Sequence, residues 1–197
     1  MKNIIFIILV FLALKGFAQK EKDSLLKVDI NKVVEKLDMM HFLDQSTMYF
    51  KEVDNFKDYF EEHISGNNDT LKFKIIHFLD LKKPLDNYTF KSYVTIVYDK
   101  NAKELINIIK SYGWPSESRI NEYVALKRNR SPMIFVMRAK NKDAKKIKRL
   151  SKDEVSLGHM GQSIYDMIVW QASPERNNSE YLNKKGYLQG EIKKKND

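Results

Sequence analysis

The stretch from Ala102 to Pro115 constrains the fold of this chain more than any other: Ala-Lys-Glu-Leu-Ile-Asn-Ile-Ile-Lys-Ser-Tyr-Gly-Trp-Pro. Leu105, Ile106, Ile108, Ile109 and Tyr112 recur at helical spacing, while Lys103, Glu104, Asn107, Lys110 and Ser111 fall on the other side. Asp99 or Asn101 can cap the front of this helix. Gly113 stands where a left-handed residue would close it, and Pro115 forbids its continuation. Between the two stoppers sits Trp114, a large ring expected to wedge into the body at a fixed exit angle. This is a packing device, and the remaining elements must supply the surface it packs against.

The first eighteen residues are a different object. Lys2 supplies a positive start, Ile4 to Leu14 is an unbroken apolar run, and Gly16-Phe17-Ala18 is a small-x-small pattern. The run is too short to span a bilayer core of about 30 Å as a helix, so residues 1–18 read as a signal peptide cleaved before Gln19. No other run reaches the roughly 20 apolar residues a spanning helix needs, so no transmembrane segment is expected in the mature chain. Cysteine is absent, which excludes a disulfide framework, a thiolate metal site and a cysteine nucleophile. An exported chain of this kind must hold its fold by its core alone, and a bacterial periplasm or cell exterior suits it. The formal charge of +9 includes Lys2 and Lys15, so the mature chain stays clearly basic and favours anionic surfaces.

Residues 19–28 are polar and read as a flexible lead, followed by a single helical domain over 29–190 and a basic tail over 191–197. Ile30, Val33, Val34, Leu37 and Met40 step by three and four, which predicts an amphipathic helix from Asp29. A second helix is predicted over Lys51 to Ile64, and Ser65-Gly66-Asn67-Asn68-Asp69 breaks it. Thr70 to Leu81 is ambiguous between strand and helix. Tyr88 to Tyr98 has a β-favouring composition, so a strand leading into the opening helix and one long helix both remain open. Arg119 to Leu126 and Met133 to Ala139 fit either a hairpin or two helices, the second with Ser131-Pro132 at its start. Helices are predicted over Asp143 to Leu157 and Ser163 to Ala172, with Ser163 as the cap of the latter. The fold class is therefore mainly α, a single-domain bundle-like array with one or two short strands between Leu71 and Ala139; an α+β arrangement is the alternative.

Known chemical signatures are missing. The chain has no phosphate-binding Gly-x-x-x-x-Gly-Lys loop, no Gly-x-Gly-x-x-Gly turn, no His-Glu-x-x-His and no Gly-x-Ser-x-Gly elbow. Its four histidines share no ligand spacing, so no metal site and no cofactor are expected. His41 with Asp44 and His77 with Asp80 are pairs three residues apart, the arrangement a general base needs if a carboxylate is to orient its imidazole. From Arg138 to Lys152 eight Lys or Arg residues stand against Asp143 alone, and Ala144, Ile147 and Leu150 form a narrow apolar stripe. That pattern describes a helix lying on the body with its cations in water, available to an anionic envelope component or an acidic protein partner. A sequence-specific nucleic-acid reader is not expected of an exported chain.

Several pieces in order resemble the bacterial exported family known as domain of unknown function 6624. They are Asp44-Gln45 on an early helix, Asp99-Lys100-Asn101, Leu105 to Pro115 with its Gly-Trp-Pro exit, the apolar run Met133 to Arg138, and Tyr165-Asp166. The chain departs from the family pattern at Met48, at Met137-Arg138 and at Asp166-Met167, where the family shows polar residues. The resemblance implies an exported helical protein and brings no established reaction. Two functions follow. The preferred one is a non-catalytic binding module of the periplasm or cell exterior, with Trp114, Arg138, Lys145, Lys146 and Arg149 as binding residues. The alternative is a hydrolase or metal-dependent enzyme using Asp44, Gln45, Asp166 and His41 or His77 near Trp114. Convergence of those side chains in one pocket separates the two.

Overall fold

A computed structural model describes residues 2–48, 55–125 and 131–174. Within them the chain forms eight α-helices and no strand. The order is α1 (Lys2–Ser46), α2 (Phe56–Tyr59, continuing as a π-helical turn Phe60–Ile64), α3 (Asp69–Leu79), α4 (Phe90–Tyr112), α5 (Glu117–Asn121), α6 (Met133–Arg138), α7 (Asn141–Ser156) and α8 (Gln162–Gln171). A 3₁₀ turn, Leu85–Asn87, leads into α4. The mainly helical expectation holds, and the expected short strands are absent from the described residues.

Helix α4 is the hub, packing against α1, α3, α6 and α7. It is one long helix, not a strand followed by a helix. Phe90, Tyr93, Val97, Asn101, Leu105, Ile108 and Ile109 are all buried along it, a stripe that steps by three and four from end to end. Packing of that stripe overrides the β-favouring composition of its first half. Its start is set by Thr89, whose hydroxyl accepts from Ser92 N–H while the Ser92 hydroxyl accepts from Thr89 N–H. The cap is therefore not Asp99 or Asn101, which lie inside the helix.

Two apolar clusters share α4. Its C-terminal half, with α1, α6, α7 and α8, encloses Leu26, Val33, Leu37, Phe135, Ile147 and Ile168. Its N-terminal half, with α2, the π turn and α3, encloses an aromatic group in which Phe60 and Tyr93 meet edge to face at 6.0 Å. On α1 the buried residues Leu26, Ile30, Val33, Leu37, Met40 and Asp44 alternate steps of four and three, the seam of a helix laid along a partner. Glu104 of α4 fastens that seam at its edge through Lys36 of α1 (2.9 Å), while its other oxygen pairs with Lys100 of its own helix (3.0 Å).

Three local expectations are corrected. Residues 19–28 are not a loose lead: they are helical, Leu26 is fully buried, and Lys22 and Asp23 reach partners far along the chain. Ser163 does not cap α8, since Gly161 occupies that position and Ser163 lies in the first turn. The helix predicted over Lys51 to Ile64 is seen from Phe56, with Asn55 capping it through Lys57 N–H; residues 51–54 lie outside the described residues, as do 175–197 with the predicted basic tail. Among the described residues no helix is long and apolar enough to cross a membrane.

Candidate functional site: a cationic groove between α7 and α8

On α7, Lys145, Lys148, Arg149 and Lys152 follow one another by three, one and three residues and so lie on one face. The adjoining face, Ala144, Ile147 and Ser151, is buried, and α7 packs against α4 and α8. The cationic face borders an open groove of about 740 Å³ whose far wall is built from Tyr165, Val169, Ala172 and Pro174 of α8 and the turn after it. No carboxylate among the described residues pairs with any of the four cations. Other lysines behave differently: Lys36 and Lys100 share Glu104, and Lys140 pairs with Asp99 at 2.5 Å. The groove thus concentrates, beside an apolar wall, positive charge that no carboxylate of the described residues pairs with.

The structure brings Lys145 and Arg149 together here and adds Lys148 and Lys152. Two other expected binding residues are elsewhere. Lys146 does not line the groove, and Arg138 of α6 sits with its guanidinium over the Tyr98 ring and its Nε 3.8 Å from Asp44. Trp114 is only 1% exposed, so it serves as core and offers no face to a ligand.

The expected catalytic side chains do not converge. Asp44 is fully buried at the end of the α1 seam. Neither of its carboxylate oxygens accepts a hydrogen bond from a described residue. Burial raises its pKa above the ordinary carboxylate value, and the nearby Arg138 charge offsets this only in part. His41 packs its ring on Phe135 at 4.8 Å, and Gln45 faces solvent. His77 lies on α3, stacked on Phe73 along a separate groove between α1 and α3. Asp166 accepts from Gln162 Nε2 at 2.9 Å on the exposed side of α8. Among the described residues no group of three or more His, Asp or Glu side chains is placed to hold a metal ion.

A carboxylate–histidine cluster does stand beside Trp114, built from residues that sequence spacing gave no reason to join. Glu154 Oε2 accepts from Trp114 N–H at 3.0 Å and lies 2.6 Å from His159 Nδ1, while Oε1 accepts from Lys22 Nζ at 2.5 Å. His159 Nε2 is 3.3 Å from Asp23, which also receives Arg119 Nη2 at 2.7 Å. Arg119 further donates to the carbonyls of Trp114 (2.9 Å) and Tyr112 (2.8 Å). Burial works to raise the pKa of Glu154, but the hydrogen bonds from His159 and Lys22, the Lys22 charge and the Trp114 N–H outweigh it and hold it below the ordinary value. Gly113 makes this possible. Its φ is +81°, and a Cβ there would lie 2.5 Å from Glu154 Oε2 and 2.6 Å from His159 Nδ1. The bonding capacity of Glu154 is thus spent on fixing the α4 exit to α1 and α7, which is structural work.

Comparison with models of protein families, with curated proteins and with solved structures finds no match for this chain.

Proposed function

We propose that the chain is an exported, non-catalytic binding module that takes an anionic ligand in the groove between α7 and α8. The observation that carries this reading is the set of four cations that line a single groove and have no carboxylate partner among the described residues. Assembling like charges on one helix face is unfavourable unless an opposite charge is recruited, so such a face fits an anion-binding role. Export draws on the three-region pattern of residues 1–18. The resemblance to domain of unknown function 6624 is compatible with this reading. The test is a titration of isotope-labelled protein with inorganic pyrophosphate, followed by amide chemical shifts. Shifts concentrated on residues 145–152 and 165–173 support the proposal; no shifts, or shifts spread evenly over all basic surfaces, refute it.

A second reading, a carboxylate–histidine enzyme near Trp114, draws on the 2.6 Å contact between Glu154 and His159. It requires solvent access to two side chains that are 1% and 3% exposed, which weighs against it.

A further inference from the structure

The walls of the α7–α8 groove differ in kind, and the difference bears on what the anion is. One wall carries Lys145, Lys148, Arg149 and Lys152; the other carries Tyr165, Val169, Ala172 and Pro174. A small hydrated anion uses only the first wall and gains nothing from the second. Val169 and Tyr165 are half-buried and line the same groove as the cationic stripe. The lysine stems extend that apolar surface beneath their charged ends. The volume of about 740 Å³ lies within the range of sites that enclose a molecule of tens of atoms, well beyond a lone phosphate.

Resting on the anion-binding reading above, we infer that the ligand is an amphiphilic anion: a phosphate-type head held by the α7 cations, with an aliphatic tail laid along Val169 and Tyr165. The head supplies the charge that no carboxylate of the described residues brings to Lys145 and Arg149. The tail covers surface that α8 leaves half open. Burial of about 100 Å² of tail gives a preference over the bare head of roughly fiftyfold. Because the head contacts lie at the surface, affinity falls as salt rises.

The experiment uses the protein in the form in which cells accumulate it, with dodecyl phosphate kept below its micellar concentration, inorganic phosphate, and vesicles of phosphatidylglycerol in phosphatidylcholine. Calorimetric titration is expected to show dodecyl phosphate binding at least about tenfold more tightly than inorganic phosphate. The double substitution K145E/R149E is expected to abolish both. Val169→Asn, which removes apolar surface without adding a charge, is expected to weaken dodecyl phosphate about tenfold and to move inorganic phosphate far less. Val169→Ser, a milder change at this half-buried position, should move the same way. Equal affinity for the two phosphates overturns the amphiphile while leaving anion binding intact. Binding to vesicles without binding of the monomer overturns the groove in favour of a membrane-surface contact. No binding of any anion defeats both this inference and the function it rests on.

Discussion

Replacing Gly113 by alanine tests the argument that the Gly-Trp-Pro exit is held by a buried charge network. Two costs add at this position. The backbone, at φ +81° and ψ −175°, lies in a region that only glycine occupies readily, which costs a side-chain-bearing residue about 1–3 kcal/mol. The new methyl would also lie 2.5 Å from Glu154 Oε2, 2.6 Å from His159 Nδ1 and 2.9 Å from Arg119 Nη1. Relieving those contacts pushes Glu154 off the Trp114 N–H, and each buried polar group left unpaired costs about 1–3 kcal/mol. The expected loss is about 4 kcal/mol, a large share of the roughly 5–15 kcal/mol that stabilises a domain. Gly66 is the internal control. It also has positive φ, +60°, but nothing lies within 4 Å of its would-be Cβ, so Gly66→Ala should cost only about 1 kcal/mol. Urea unfolding followed by tryptophan fluorescence and by circular dichroism measures both. Equal losses for the two variants would refute the network argument, because backbone conformation alone would then explain Gly113.

Other outcomes follow from the same contacts. Glu154→Gln should cost about 3 kcal/mol at neutral pH, since it removes one partner of a buried ionic cluster. The Glu154 pKa is held below its unfolded value, so its contribution is complete above the ordinary carboxylate range and is lost as pH falls through the depressed value; unfolding curves of the two proteins should converge in acid. Asp44 behaves oppositely. Its pKa is raised, so the folded protein loses stability as pH rises through the interval between the ordinary and the raised value, and Asp44→Asn should stabilise at neutral pH by about 1 kcal/mol with the gap closing in acid. Starting the chain at Asp29 removes Lys22, Asp23 and Leu26 from their partners and should cost at least about 3 kcal/mol in thermal or urea unfolding; no change would restore the flexible-lead expectation.

Much of this architecture was legible because it rests on periodicity. The stripe from Ile30 to Met40, the face from Leu105 to Ile109, the break at residues 65–69 and the basic helix α7 are all local patterns. The first half of α4 was ambiguous because Val94, Thr95, Ile96 and Val97 favour strands by composition, whereas Phe90, Tyr93, Val97 and Asn101 are the positions that the neighbouring helices bury. The lead over 19–28 looked loose because Leu26 is its only fully buried apolar residue; Lys22 and Asp23 hold it by charge. No spacing rule joins Lys22 to Glu154, which are 132 positions apart, or Arg119 to Asp23, 96 apart. The groove was half legible: the cations on α7 stood out, but Val169 and Tyr165 form the facing wall only once α8 folds back on α7. Arg138 belonged to the same basic run and yet serves a different place, because α6 ends before α7 begins and turns it toward Asp44.

The claim at the centre of this account is that the position of four cations, and not the protein's overall positive charge, binds an anion. The direct measurement compares pyrophosphate affinity in K145E/R149E with that in K91E/K103E, a variant of identical net charge altered on exposed positions of α4. The account requires binding to vanish in the first and survive in the second. Equal weakening in both would contradict it.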